Sequence, residues 1–242
     1  MVKLDKTGTP IPDALQPGNK GDIATRQLMA DYDAGIREFE FDPNIYGHSS
    51  VKSALVGLQH GKCCFCESPF RHISPGDVEH FRPKAGFFIL TGNAISKPGY
   101  YWLAYNFSNL YLSCEICNRT FKRNYFPLAY EANRVRSHHH HTDLPNESPL
   151  LIQPEEDEPE DHITFNREIP LGIDTKGSVT IERLGLDRYD LNEERLKYYE
   201  LMAYIADKAR SGDTIASQII KKASLPSERY SLMIRCNFSD LL

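Results

Sequence analysis

Two Cys-x-x-Cys pairs, Cys63 with Cys66 and Cys114 with Cys117, constrain the fold of this 242-residue chain. A turn of this kind places both sulfur atoms on one side of a tight knuckle, and four reduced thiolates suit a closed, tetrahedral Zn²⁺ site. One pair alone would leave redox chemistry open, whereas two pairs favour structural zinc. Residues 67–113 exceed the usual separation between the two halves of a zinc finger, so this gap must contain structure of its own.

The other two cysteines lie outside the two Cys-x-x-Cys pairs. Cys64 lies inside the first knuckle, where it could compete as a ligand but is expected not to bind the metal, and Cys236 is expected to be a small buried apolar residue.

No apolar run approaches the roughly 18 residues of a membrane helix, and residues 1–13 lack the apolar segment of a secretory signal. The expected location is therefore the cytoplasm, away from any membrane, where cysteines stay reduced.

The net charge of −5 is unevenly spread along the chain. Basic residues outnumber acidic ones over 60–136, whereas acidic residues dominate 137–242. This asymmetry predicts that an anionic partner meets the middle region only. Binding to nucleic acid requires many cations against the phosphates, so we expect weak affinity from this chain alone and a partner that supplies much of the binding.

The sequence divides into three predicted regions: an N-terminal arm with helices over 1–59, a compact core over 60–136, and a linker, β-hairpin and helical extension over 137–242. Pro, Gly and Thr in residues 1–22 predict a weakly ordered arm, and the prolines and acidic residues of 131–161 predict a loop or linker. The predicted helices span 23–38, 49 or 50 to 59, and 115–125, followed later by a long helix capped by Asn192 and two short final helices. The predicted strands span 77–81, 110–113, 163–165, 169–173 and 179–182, and a turn is predicted over 174–177.

The segment Asp77-Val78-Glu79-His80 is the strongest candidate for chemistry within the core. Acidic side chains two residues apart on a strand point to one face, where carboxylates suit a hard cation such as Mg²⁺. His80 follows directly, and an imidazole is a suitable general base for water near neutral pH. Alone, this segment would be interpreted as a solvated strand end, so its context decides.

That context is an ordered series of an Asp-x-Glu-His strand, an asparagine, a second strand, a zinc knuckle and another asparagine. Over 63–128 this order resembles the HNH endonuclease superfamily, the ββα-metal or treble-clef group. Longer matches, YYWLAYNFSNLYLSCEICN, SPLLIQPEEDEPEDHITF and VTIERLGLDR, resemble a narrower family. That family comprises the HNH nuclease subunits of Septu-type antiphage systems, found also beside some retrons. The resemblance spans most of the chain after about residue 50 and implies an α+β fold, with a zinc-knuckle-stabilised ββα-metal core between helical extensions.

The resemblance also implies roles for individual residues. His80 matches the general base, Glu79 the acidic ligand of the catalytic ion, and Asn109 the asparagine that braces the loop holding the base. Asn118 stands where the superfamily has a histidine or asparagine ligand, and its neutral oxygen suits Mg²⁺ or Mn²⁺ better than Zn²⁺. Asp77 is an additional metal ligand or a partner for the histidine.

Two cations complete the implied site. Arg82 and Lys122 are candidates for contacts to phosphate, and ordinary surface cations are the alternative interpretation. The implied reaction is phosphodiester hydrolysis in DNA or RNA, with structural Zn²⁺ and a catalytic Mg²⁺ or Mn²⁺.

The implied partners are an ATPase of the ABC/SMC type and, in some relatives, a retron reverse transcriptase with its DNA–RNA product. The chain has no Walker A pattern, so any dependence on ATP would come from the partner. A non-catalytic zinc-binding scaffold, or a module that docks nucleic acid or protein, stays open as the alternative function.

Three further features have a simpler interpretation. The run His138–His141 is expected to be a solvated loop tip, although it could bind a transition metal. Trp102 and the aromatic residues around it are expected in the core rather than stacked on bases. The acidic block over 155–161 is expected to be a solvated turn.

Overall fold

Across the residues that the structure describes, the chain is an α+β protein in which two small antiparallel sheets lie among helices. The computed structural model describes residues 1, 3–89 and 94–242. The α-helices are α1 (Lys20–Asp33), α2 (Pro43–Tyr46), α3 (Ser49–Leu58), α4 (Pro159–His162), α5 (Thr175–Leu184), α6 (Tyr189–Arg210), α7 (Thr214–Ala223) and α8 (Ser231–Asn237). The strands are β1 (Asp77–His80), β2 (Leu110–Ser113), β3 (Ile163–Asn166) and β4 (Ile169–Gly172). The 3₁₀ helices span Asp13–Leu15, Tyr101–Leu103, Phe107–Asn109, Glu131–Asn133, His138–Asn146 and Ser239–Leu241, and a π-helix spans Ile116–Lys122.

The N-terminal arm is packed against the core, so the prediction of a weakly ordered arm was wrong. Leu4 and Leu15 are buried. The ammonium group of Lys6 donates hydrogen bonds to three backbone carbonyls, those of Phe107, Ser108 and Leu110. These bonds fasten the arm to the start of β2, and desolvation in this position lowers the pKa of Lys6 to about 8.

The first two major helices differ in how well their ends were predicted. Helix α1 ends at Asp33 rather than near residue 38, because Gly35 adopts φ = 93°, a conformation that terminates a helix. Helix α3 confirms the second predicted helix, but its N-cap is the imidazole of His48, which accepts a hydrogen bond from the backbone of Ser50. Local patterns therefore located both helices, but they missed both ends of α1, which begins at Lys20 rather than residue 23, and the N-cap of α3.

The β1–β2 pair forms the sheet of the central region. The strands are antiparallel, with Asp77 opposite Ser113 and His80 opposite Leu110. Both strands were predicted within one residue, and the helix predicted over 115–125 is the π-helix Ile116–Lys122. Hydrophobic residues of this region form the core, including the predicted aromatic cluster: Tyr100, Tyr101, Trp102, Tyr105 and Phe107 are all buried.

The C-terminal region required two corrections. The predicted strand over 179–182 lies within α5, because Asp174 caps a helix by accepting a hydrogen bond from the Gly177 amide at 2.7 Å. Helix α6 begins at Tyr189 with Arg188 as its N-cap, whereas Asn192 lies in its first turn. The β3–β4 hairpin and the two closing helices, α7 and α8, were predicted correctly.

Two side chains, those of His138 and Cys236, differ in burial from the sequence prediction. His138 is buried at the start of a 3₁₀ helix, which corrects the prediction that the whole histidine run is a solvated tip. Cys236 is only partly buried and packs against the hydrophobic core. Among the helices that the structure describes, none is both long and apolar enough to cross a membrane.

Candidate functional site

The four predicted zinc ligands converge in space. The sulfur atoms of Cys63, Cys66, Cys114 and Cys117 all lie within 4.8 Å of one another, and the Cys66 and Cys114 sulfurs are 3.9 Å apart. Tetrahedral Zn²⁺ with bonds of about 2.3 Å places its sulfur ligands about 3.8 Å apart. All four residues are buried and none forms a disulfide. The cluster therefore fits a structural zinc ion in both chemistry and spacing.

Neighbouring groups fix the cluster onto the sheet. The amide side chain of Gln59, just after α3, both donates to and accepts from the backbone of Leu112 at 2.7 Å. The backbone amide of Cys64 also donates to the Leu112 carbonyl, and its side chain lies outside the cluster. The Arg188 guanidinium approaches the Cys117 sulfur at 3.6 Å, where a cation offsets the charge of thiolates. The zinc knuckles and β2 thus form one unit.

A cleft of about 440 Å³ opens beside β1 and the π-helix. It is lined by four of the predicted site residues, Asp77, Glu79, His80 and Asn118. Four cations also line this cleft: Lys52, Lys84, Arg119 and Arg123. The cleft therefore combines oxygen donors, an imidazole and positive charge within one concave surface.

His80 is held in a defined orientation at this cleft. Its Nε2 atom lies 2.9 Å from the Ala104 carbonyl oxygen, and its Nδ1 atom lies 3.4 Å from the Lys84 ammonium. Because a carbonyl oxygen can only accept, Nε2 carries the proton and Nδ1 keeps its lone pair. Burial, and secondarily the charge of Lys84, hold the pKa of His80 well below 6.5. The imidazole is therefore neutral at neutral pH, and its basic Nδ1 atom faces the Lys84 ammonium.

Asn109 braces the chain just after His80. Its side-chain oxygen accepts from the Arg82 amide at 2.8 Å, and its side-chain nitrogen donates to the Arg82 and Leu103 carbonyls at 3.0 and 3.2 Å. These bonds tie the end of β1 to the 3₁₀ turn that precedes Ala104. Asn109 thus joins the two backbone segments between which the His80 imidazole is held.

Asp77 and Asn118 are in direct contact at the mouth of the cleft. The Asn118 amide nitrogen donates to Asp77 at 3.1 Å, and Arg119 binds both oxygens of the same carboxylate at 2.7 and 2.8 Å. With Glu79, these groups supply two carboxylates and an amide oxygen, the donor types that Mg²⁺ and Mn²⁺ prefer. The donor set fits a hard divalent ion. In this structure the Arg119 guanidinium balances the negative charge of Asp77.

Glu79 forms a buried ion pair with Lys122. The two charged groups are 2.5 Å apart, Lys122 is fully buried, and its ammonium also donates to the His80 carbonyl at 3.0 Å. Burial raises the pKa of Glu79, and the charge of Lys122 opposes that rise. Lys122 therefore holds the β1 carboxylate from inside the protein.

Removing Lys122 is expected to destabilise the fold. A Lys122→Met variant leaves the Glu79 charge buried without a partner, and breaking such a pair typically costs about 3–5 kcal/mol. Urea unfolding followed by circular dichroism should show this loss as a lower midpoint. Adding Glu79→Gln to the same chain removes the uncompensated charge and should recover most of the loss. A loss below about 1 kcal/mol in the single variant would contradict the structural role of the pair.

Arg82 lies away from the cleft and is also an internal residue. Its guanidinium pairs with Glu147 at 2.9 Å, and it lines a different and smaller cavity. Arg82 and Lys122 are therefore not surface cations, which corrects that alternative. Sequence reasoning did not identify Lys84, Arg119 or Arg123 as lining residues, although Lys84 follows His80 by four positions and Arg119 is adjacent to Asn118.

Comparison with known proteins identifies two curated relatives. The chain is 38% identical over 204 residues to the Septu protein PtuB of Bacillus mycoides (strain KBAB4), a match that covers 81% of this chain and 66% of the relative. It is 27% identical over 148 residues to the Septu protein PtuB of Bacillus thuringiensis, covering 61% of this chain and 45% of that relative. The chain therefore spans less than two thirds of the length of either relative.

Two other comparisons gave no match: no protein-family model matches the sequence, and no solved structure matches the chain. The longer PtuB alignment covers most of this chain at substantial identity. This chain is a homologue of the Septu protein PtuB.

Proposed function

We propose that this protein is a metal-dependent endonuclease of the HNH type that hydrolyses phosphodiester bonds in nucleic acid. The observation that carries the proposal is the orientation of His80. Its Nε2–H is engaged by the Ala104 carbonyl, and its unprotonated Nδ1 lies in a cleft with Asp77, Glu79 and Asn118. A neutral, oriented imidazole beside oxygen donors is the arrangement required to activate water at a phosphodiester.

In this proposal His80 takes a proton from the attacking water through Nδ1, and Asn109 positions the backbone that carries His80. Asp77, Glu79 and Asn118 hold Mg²⁺ or Mn²⁺, which when bound supplies positive charge to the developing phosphorane and the leaving oxygen. Arg119, which pairs with Asp77 in this structure, would be available to the substrate phosphate when a bound ion neutralises that carboxylate.

Lys84 is the proposed cation for the scissile phosphate. Its ammonium group lies 3.4 Å from the unprotonated Nδ1 of His80 and lines the same cleft. Lys122 and Arg82, the candidates for phosphate contacts in the sequence, have structural roles in this proposal, because each is buried in an ion pair.

The fold supports the same proposal. Strands β1 and β2, followed by the helix Ile116–Lys122 and stabilised by the Cys₄ cluster, have the element order of a ββα-metal core. We propose that the nuclease core extends over 60–136, that 1–59 buttresses it, and that the helical region over 137–242 docks the partner.

The relatives suggest the biological setting. Both are named as Septu proteins, so we place this chain in a Septu-type antiphage system. We propose a cytoplasmic complex with an ABC/SMC-type ATPase, in some hosts alongside a retron reverse transcriptase. A non-catalytic zinc scaffold accounts for the four cysteines, but it has no use for an imidazole held with its basic nitrogen in a cation-lined cleft.

The dependence of cleavage on pH tests the roles of His80 and Lys84. Hydrolysis of labelled DNA or RNA in Mg²⁺ should not fall as pH decreases from 8 through 6.5, because the pKa of His80 lies well below 6.5 and the base stays neutral. Above pH 8 the rate should fall, because burial lowers the pKa of Lys84 to about 8 and the ammonium charge is lost.

A matched variant separates the two limbs of this profile. Lys84→Met should reduce kcat/KM about 10- to 100-fold at neutral pH, the effect of one lost charge-assisted hydrogen bond, and should abolish the alkaline decrease. An acidic limb centred near pH 6.5 in the wild type would argue against a buried His80 as the base.

A further inference from the structure

The end of α1 meets the beginning of the histidine run far from it in sequence. Asp33 Oδ1 lies 2.9 Å from Nε2 of His139 and 3.6 Å from Nε2 of His138. These three ligand atoms all lie within 4.8 Å of one another. The cluster shares no residue with the Cys₄ site or with the cleft beside β1.

We propose that Asp33, His138 and His139 form a binding site for a divalent transition-metal ion, with Zn²⁺ as the best-suited ion. Two imidazole nitrogens and one carboxylate are a recurrent ligand set for Zn²⁺, at bond lengths of about 2.0–2.2 Å. Tetrahedral geometry then requires ligand atoms about 3.3–3.5 Å apart. The observed 3.6 Å and 2.9 Å lie on either side of this value, so small side-chain movements suffice.

A buried tyrosine orients one of the imidazoles. The Tyr101 hydroxyl lies 2.6 Å from Nδ1 of His138, which leaves Nε2 directed at Asp33. A hydrogen bond to the second ring nitrogen is the usual support of a metal-binding histidine. Tyr32 adds packing, with its ring edge-on to both imidazoles at centroid distances of 5.7 and 6.3 Å. The two imidazoles therefore pack against the aromatic side chains of Tyr32 and Tyr101.

The exposure of the three side chains is compatible with binding from solution. The side chains of Asp33 and His139 are 50% and 56% exposed, whereas that of His138 is only 9% exposed. An ion would therefore approach from the open side of the cluster and take water as its fourth ligand.

The ligand types select the class of ion. Imidazole nitrogen favours Zn²⁺, Ni²⁺ and Cu²⁺ over Mg²⁺ and Ca²⁺, which prefer all-oxygen sites. The proposed ion is therefore distinct from the Mg²⁺ or Mn²⁺ assigned to the cleft. It would join α1 to the segment beginning at residue 138, and so stabilise the folded chain in proportion to its binding.

Calorimetric titration of Zn²⁺ into the full-length protein, already loaded at the cysteine cluster, tests the proposal. The wild type should bind Zn²⁺ at this site and unfold at a higher temperature in its presence. His139→Ala and Asp33→Asn should each weaken this binding at least tenfold and abolish the thermal shift. Tyr101→Phe, which removes only the hydroxyl, should weaken it about tenfold.

His140→Ala is the matched control. His140 belongs to the same run, is exposed, and lies outside the three-residue cluster. The proposal predicts unchanged Zn²⁺ binding in this variant. Equal losses in His140→Ala and His139→Ala would mean unspecific chelation by the run, and undiminished binding in His139→Ala would mean that Zn²⁺ binds elsewhere. Either outcome, or the absence of binding beyond the cysteine cluster in the wild type, would overturn the proposal.

Discussion

Cys114→Ser is expected to leave the chain unfolded or aggregated at room temperature. The substitution removes one of four sulfur ligands, and a serine hydroxyl is a poor ligand for Zn²⁺. Apparent binding free energies of structural zinc are about 10–16 kcal/mol at neutral pH. Domains are typically stable by only about 5–15 kcal/mol in total. Losing the ion therefore removes as much free energy as the whole fold provides.

The position of the cluster explains why the effect should be global. Cys114 directly follows β2, and Cys63 and Cys66 follow α3, which Gln59 joins to the same strand. In this variant, without the ion, three buried thiols remain and the two knuckles lose the metal link between their sulfur atoms. Circular dichroism and zinc content, measured on the purified variant, would report the loss of structure and of metal together.

Cys236→Ser provides the control for this experiment. Cys236 is partly buried on α8 and lies outside the cluster, so its replacement should change the free energy of unfolding by about 1 kcal/mol or less. If Cys114→Ser were folded, free of zinc and as stable as Cys236→Ser, the assignment of a structural zinc site would be wrong.

His80→Ala is expected to slow cleavage about 10²- to 10⁴-fold while leaving the protein folded. Removal of a general base typically costs about 10²–10⁴ in rate. The zinc cluster and the Glu79–Lys122 pair do not depend on the imidazole, so the fold should persist. The decrease should appear in kcat, because the base acts in the transition state and contributes little to binding of the substrate.

Two further variants separate a catalytic from a structural role of His80. His80→Gln places its amide donor near the position of Nε2, within reach of the Ala104 carbonyl. It has no basic nitrogen, so it should be as inactive as His80→Ala. His140→Ala, at an exposed histidine, should retain full activity. Added imidazole should restore part of the rate to His80→Ala only. Near-normal cleavage by His80→Gln would remove His80 from the role of base.

Local sequence signals predicted the central sheet and the zinc cluster well, because each depends on short-range chemistry. Cysteine spacing indicated the cluster before any geometry was known, and both β1 and β2 were predicted within one residue. The segment over 179–182 was interpreted as a strand because four residues of alternating character fit a helix equally well. Only the Asp174 cap and the packing of α5 distinguish these structures.

Tertiary contacts account for the features of the cleft that the sequence did not reveal. Lys122 and Arg82 resemble surface cations in the sequence, yet each is paired with a glutamate on another element. The Ala104 carbonyl that orients His80 carries no side-chain signal at all. The contact of Asp33 with His139 joins residues separated by most of the central region, and no local pattern predicts such a pairing.

The most direct test of the central claim is cleavage of end-labelled DNA and of an RNA pool by the protein purified with the proteins that bind it. The reactions are run with Mg²⁺ or Mn²⁺ and with a chelator at a concentration that spares the buried zinc. The proposed mechanism predicts cleavage that requires the divalent ion, leaves 5′-phosphate ends and is at least about 100-fold slower in His80→Ala. Intact DNA and RNA in every reaction, from folded and zinc-loaded wild-type protein with its partners present, would contradict it.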